Sequence, residues 1–236
     1  MVMNGLVSLI FFGIELAILI VVIIFNRDHP HFWSIVALLS LLQLYQLSEF
    51  LVCIGVNVGL ITRIGFVVIT FLPPIGYFLC TRIVKWKFPD YWLGFALALA
   101  FSVYFIVDSA SVTFVDCNPF FATYQSSGVI SISPTYDLPI SAMYGAFYHG
   151  SLLYSIWFLV EHLIWAKDKI ENKYAVTVLI GFLVFMLPML LMVIIFPQFA
   201  VAIASLLCKY ALLLACTLLL FSFMKGKKPL KKTEKV

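Results

Sequence analysis

Lys209 is the residue most in need of a chemical explanation, because it lies deep inside the bilayer-length apolar run Ala200–Phe223. An ammonium group at the centre of a hydrocarbon layer costs about 2.5–3.5 kcal/mol on insertion scales. It persists only if a counter-ion pairs with it, if it is neutral, or if its chemistry is used. Glu15 lies about as deep in the first apolar run as Lys209 does in the last. If the helices close in order, these two runs are neighbours, and a Glu15–Lys209 ion pair is the simplest assignment. The alternative is that Lys209 binds a ligand carboxylate or forms a Schiff base.

Other polar residues sit inside apolar runs, where an ionisable group is by default a site hypothesis. The second run carries Gln43, Gln46, Glu49 and Cys53, and the last three are spaced i, i+3, i+7 on one helical face. That face is expected to look inward. Glu49 and Arg63 fall at similar depth in consecutive runs and are expected to pair. Pro73 and Pro74 remove amide donors from the third run, which predicts a kink or break. Thr70 and Tyr77 flank that break, able to satisfy its freed carbonyls or to line a pocket. Asp108 has Tyr104 and Ser111 on its helical face, and the fifth run carries the stripe Ser141, Tyr144, Tyr148, Ser151 and Ser155 with His149 beside it. The candidate ligand-binding set is therefore Glu15, Gln46, Glu49, Arg63, Tyr77, Asp108, Tyr148, His149 and Lys209. Most of these lie in one half of the membrane, which describes a polar cavity open to one side rather than a pore, and favours binding or sensing over conduction.

The elements that must position these residues are seven apolar segments: Asn4–Phe25, Phe32–Ile54, Leu60–Val84, Tyr91–Val115, Ile140–Ala166, Tyr174–Phe196 and Phe199–Phe223. Each is long enough to cross a bilayer as a helix, the form that satisfies its own backbone in lipid. The 236-residue chain is 64% hydrophobic and 11% charged, with a mean hydropathy of +1.10. A soluble domain carries about 25% charged residues. The expected fold class is an all-α membrane protein: a seven-helix bundle over residues 1–225 with a basic tail at 226–236. Met1–Phe25 lacks a basic n-region, so it is expected to remain as an anchor rather than be cleaved.

Thirteen of the 15 Lys and Arg follow the first, third, fifth and seventh segments. The positive-inside rule then places the N-terminus outside and the tail in the cytoplasm. The net charge of +4 sits beside membrane spans and argues against a nucleic-acid partner. The long connection 116–139 falls outside; its Ser-Ser-Gly turn signal between β-prone runs predicts a hairpin lid. Cys53 and Cys117 fall on the same oxidising side and form a candidate disulfide tether, the alternative being two ordinary thiols. No Cys/His spacing suits zinc or an iron–sulfur cluster, so no metal site is expected.

The outside N-terminus, the span order, Lys209 in the seventh helix and the series Arg63, Thr70, Pro73 in the third resemble the microbial rhodopsins. That resemblance implies retinal bound to Lys209. The sequence departs from it where an acidic counter-ion is usual, at Phe66, and where an aspartate is usual one turn before the lysine, at Ser205. The Pro-Pro pair followed by a short basic loop also resembles the seven-helix N-terminal sensor region of some histidine kinases, which implies a separate cytoplasmic signalling partner. The reading adopted is a non-enzymatic receptor or sensor in the cell membrane, holding a small or lipid-like ligand, alone or as a homo-oligomer. The alternatives are a small-solute transporter, a retinal photoreceptor, and an intramembrane hydrolase using Asp108, Glu49 and His149.

Overall fold

The computed structural model describes residues 5–86, 90–108, 111–118, 120–125, 129–133, 136–165, 169–196 and 202–224. The basic tail 226–236 lies outside them. The described residues form the helices α1 (Leu6–Phe25), α2 (Phe32–Cys53), α3 (Val58–Thr70), α4 (Leu72–Val84), α5 (Tyr91–Val107), α6 (Ile140–Trp165), α7 (Lys169–Ile195) and α8 (Ile203–Ser222). Two antiparallel hairpins join α5 to α6: β1 (Thr113–Cys117) with β2 (Ala122–Gln125), and β3 (Val129–Ser133) with β4 (Tyr136–Pro139).

α3 and α4 are one bent rod. The chain breaks at Phe71, and Pro73 and Pro74 fall in the first turn of α4, where a missing amide costs nothing because first-turn amides have no intrahelical acceptor. Five helical rods among the described residues are long and apolar enough to cross a membrane: α1, α2, the α3–α4 rod, the Asn172–Met192 part of α7, and α8. α5 is apolar but only 17 residues long. The sequence reading continued this helix to Val115, whereas it ends at Val107 and Asp108 turns extended (φ −88°, ψ 108°). The β-branched Val112, Thr113 and Val115 that follow suit the pleated strand they enter. The hairpin region therefore begins earlier than expected, at Thr113, and the runs on either side of Ser-Ser-Gly, β2 and β3, pair with β1 and β4 instead of with each other, giving two hairpins rather than one.

α2 is the central element. It packs against α1, α3, α4 and α8, and buries Leu38, Leu39, Leu42, Tyr45, Gln46 and Glu49 among them. α1 and α5 leave one side open, with Ile10, Ile14 and Ile24 on α1 and Leu93, Leu99 and Val103 on α5 exposed. Apolar faces of this kind suit lipid, whose chains are as apolar as the side chains they meet. α7 and α8 approach closely at Gly181, where a Cβ would collide with Thr217 Oγ1 and lie 3.1 Å from Leu214.

At the end of the bundle opposite the hairpins, the α1–α2 loop is clasped by α7 and α8. The Phe221 ring lies 5.1 Å from His29 and 5.8 Å from His31, and its edge meets Tyr174 at 5.2 Å. Asn26 Nδ2 donates to Ser222 Oγ (2.9 Å), and the His31 amide donates to His29 Nδ1 (3.2 Å). Burial lowers the His29 imidazole below its ordinary 6.5. Burial, with the nearby His29 and Arg82, lowers His31 to about 4. The unfolded chain thus binds more protons than the folded one between about pH 6.5 and 4. The clasp contributes fully above pH 6.5 and is expected to weaken as pH falls through that window. The midpoint of thermal unfolding in detergent should fall on acidification, and His31→Gln should flatten that dependence; an unchanged slope in the variant would assign the loss elsewhere.

Candidate functional site

The buried polar residues assemble on three helices near the hairpin end. α2 presents Gln46 and Glu49 on one face, α8 presents Lys209, and α1 presents Ser8 and Glu15 seven residues apart on its own face. Lys209 Nζ donates to Glu49 Oε1 at 2.6 Å, to Ser8 Oγ at 2.6 Å and to Gln46 Oε1 at 3.3 Å. Ser8 Oγ in turn donates to Glu49 Oε1 at 2.7 Å. Gln46 Nε2 donates to the Cys208 carbonyl, tying α2 to the backbone of α8. The Glu49 side chain has no exposed surface, and Lys209 keeps 14%.

Both ion pairs expected from depth alone are replaced. Lys209 takes Glu49 instead of Glu15, because α8 also packs on α2 and the Gln46–Glu49 face turns toward it. Glu15 is fully buried in the same cluster without a hydrogen-bond partner among the described residues. Arg63 is not the partner of Glu49. It donates from Nε to the Gly59 carbonyl (3.1 Å) and from Nη1 to the Ile106 carbonyl (3.1 Å). There it satisfies the last turn of α5, whose carbonyls have no intrahelical donor.

A cavity of about 390 Å³ lies beside this cluster. Its walls come from α3 (Phe66), α5 (Phe105), β2 (Tyr124), α6 (Tyr144 and Tyr148) and α8 (Leu207). The rings interlock edge to face: Phe66 is 5.3 Å from Tyr124 and 5.6 Å from Phe105, and Tyr144 is 5.1 Å from Phe105. Thr70 closes the wall near Tyr144, at 3.1 Å from its hydroxyl, while its own hydroxyl donates to the Phe66 carbonyl. His149 also lines the cavity, with Nδ1 donating to the Gly145 carbonyl at 3.0 Å. A carbonyl accepts only from N–H, so that contact puts a proton on Nδ1, and Nε2 has no partner among the described residues.

The first hairpin covers this cavity. Cys53 at the end of α2 and Cys117 in β1 form a disulfide (Cα–Cα 5.6 Å). The Ala122 amide donates to Ser205 Oγ on α8 (3.1 Å), and Asn118 Oδ1 accepts the Phe120 and Phe121 amides to shape the turn. Gly5, with φ +78°, lets the start of α1 approach this corner; a Cβ there would stand 2.8 Å from Cys53 Cβ. Burial, with the charge of Glu49 added, pushes the Tyr124 phenol well above its ordinary value, so it stays protonated.

Of the residues singled out by type and depth, Gln46, Glu49, Glu15 and Lys209 come together in the cluster, and Tyr148 and His149 line the cavity. Asp108 closes α5, with its amide on the Tyr104 carbonyl. Tyr77 lies on α4 and donates to Asp90 Oδ2 at 2.6 Å, beside the start of α5. The three residues of the hydrolase alternative thus sit in three settings: Glu49 in the cluster, His149 on the cavity wall, Asp108 at a helix end. Retinal attachment fits poorly as well, because the Lys209 amine is spent on three acceptors and Lys209 does not line the cavity. Sequence reasoning missed Ser8, whose seven-residue spacing from Glu15 is the signal that points to it. It also did not place Phe66, Phe105 or Tyr124 at a binding site, since no local signal in their runs points to a cavity. Among the described residues no group of His, Cys, Asp and Glu suits a metal ion. No family model matches the chain, and no curated protein or solved structure matches it either.

Proposed function

We propose that this chain is a multi-pass membrane receptor or sensor that binds a small, largely apolar, lipid-like molecule in the aromatic cavity beneath the first hairpin. The carrying observation is the cavity itself: about 390 Å³, walled by Phe66, Phe105, Tyr124, Tyr144 and Tyr148. Small-molecule sites are concave and mostly apolar, with a few placed polar groups. Here the polar residues on the wall include Gln125, Ser141, Tyr144, Tyr148 and His149. The hairpin end faces the outside, in keeping with the charge pattern of the loops, and the Cys53–Cys117 disulfide supports this, since such bonds persist in oxidising compartments.

The test uses the full chain in lipid nanodiscs with a fluorescent single-chain fatty alcohol as probe. Saturable binding is expected in the wild type. Ala204 lies on the cavity wall, and Ala204→Phe fills it, so affinity should fall about tenfold or more, equivalent to about 1.4 kcal/mol. A receptor binds without flux, so proteoliposomes should show no counterflow of the probe. Binding that is non-saturable, or that survives Ala204→Phe unchanged, would refute the cavity as the site. Counterflow would convert the reading to a transporter.

A further inference from the structure

We propose that Glu15 is a proton-binding site: the α1–α2–α8 cluster holds one proton on its carboxyl group, and exchange of that proton decides which carboxylate Lys209 serves. This inference does not depend on a ligand in the cavity.

The starting point is donor arithmetic. An ammonium group has three N–H bonds. Those of Lys209 are all used, on Glu49 Oε1, Ser8 Oγ and Gln46 Oε1. Ser8 spends its hydroxyl proton on Glu49 Oε1, and Gln46 uses one of its two Nε2 hydrogens on the Cys208 carbonyl. None of these donors reaches Glu15, whose two carboxyl oxygens are buried without a hydrogen-bond partner among the described residues. Glu49 Oε2 is likewise without one.

Charge counting gives the same answer. The cluster contains two carboxyl groups and one ammonium, so with both carboxyls ionised it would carry one uncompensated negative charge in a buried setting. An isolated buried carboxylate is so costly that it takes up a proton instead. Glu49 accepts two hydrogen bonds, one of them its ion pair with Lys209, so the proton belongs on Glu15. The groups facing Glu15 from the packed elements are Glu49 and Gln46 on α2 and Cys208 and Lys209 on α8, with Ser8 on its own helix; Lys209 is the cation among them.

The exchange balances simply. A proton from water adds to the Glu15 carboxylate and gives the neutral acid, leaving Lys209 to Glu49. Loss of that proton to water leaves a carboxylate that competes with Glu49 for the same ammonium. Lys209 would then swing from α2 toward α1, around the Phe11 ring that lies 5.9 Å from its nitrogen.

The test is infrared spectroscopy of the full chain in lipid nanodiscs at about pH 7, where an ordinary glutamate with a pKa of about 4.3 is ionised. Wild-type protein carrying carboxyl-13C glutamate should show a protonated-carboxyl C=O band that shifts with the label. Glu15→Gln, which keeps the side-chain shape, should abolish that band. A wild type with no such band at pH 7 overturns the proposal, and so does a band that persists undiminished in Glu15→Gln. Should the variant fail to fold, a quantitative spectrum of the labelled wild type decides: one protonated glutamate per chain is expected, and none refutes it.

Discussion

Lys209→Ala is expected to destabilise the bundle by about 3–5 kcal/mol, the cost of stripping one partner from a buried ion pair. The alanine leaves the Glu49 carboxylate at zero exposure with only the Ser8 hydroxyl on Oε1, and it removes the cation that Ser8 and Gln46 both accept from. α1, α2 and α8 all lose a shared anchor. The measurement is equilibrium unfolding in mixed micelles. Combining Lys209→Met with Glu49→Gln removes both charges and keeps most of the volume, so the double variant should recover much of the loss. The coupling between the two sites should be in the range of contacting residues, about 0.5–3 kcal/mol. Additive losses would mean that Lys209 and Glu49 do not meet. A single variant within about 1 kcal/mol of wild type, the scale of an exposed pair, would mean that the pair is solvated rather than buried.

Breaking the Cys53–Cys117 bond is expected to have an effect of similar size. The bridge closes 64 residues of chain, for which the chain-entropy model gives about 4 kcal/mol. Cys53→Ser with Cys117→Ser should lower the unfolding midpoint, and amide exchange should rise first in the first hairpin, Thr113–Gln125. The remaining ties there include the Ala122 amide on Ser205, the packing of Tyr124 on Phe66 and the contacts of β1 with α2 and α3. Because that hairpin covers the cavity, probe binding should weaken in the same variant. Unchanged exchange across Thr113–Gln125 would mean that those ties hold the hairpin without the disulfide.

The comparison of Glu15 with Glu49 connects these expectations. Both are fully buried carboxyl residues in one cluster, yet one is engaged by Lys209 and the other by no donor. Glu15→Gln should therefore cost far less stability than Lys209→Ala, since it removes no ion pair.

Much of the architecture was legible in the residues alone. Apolar runs of bilayer length specify helices because lipid offers the backbone no partner. Pro73 and Pro74 lack amide hydrogens, so the third rod had to bend where they stand. The β-prone runs beside Ser-Ser-Gly are strands, though they pair with β1 and β4 rather than with each other, and the two cysteines assigned to the outer side are the ones that bond. Each of these follows from local chemistry acting over a few residues. The partner of Lys209 does not. Depth along a helix fixes height in the membrane but not rotation about the axis, and rotation decided for Glu49 over Glu15. Arg63 matched Glu49 in height and still turned to the carbonyls at the end of α5. The cavity is further from the sequence again. Phe66, Phe105, Tyr124 and Tyr144 come from four separate elements, and none of those elements alone signals a cavity. Only the packing of those elements, fixed by where α3, α5, α6 and the first hairpin meet, leaves space between the rings instead of filling it.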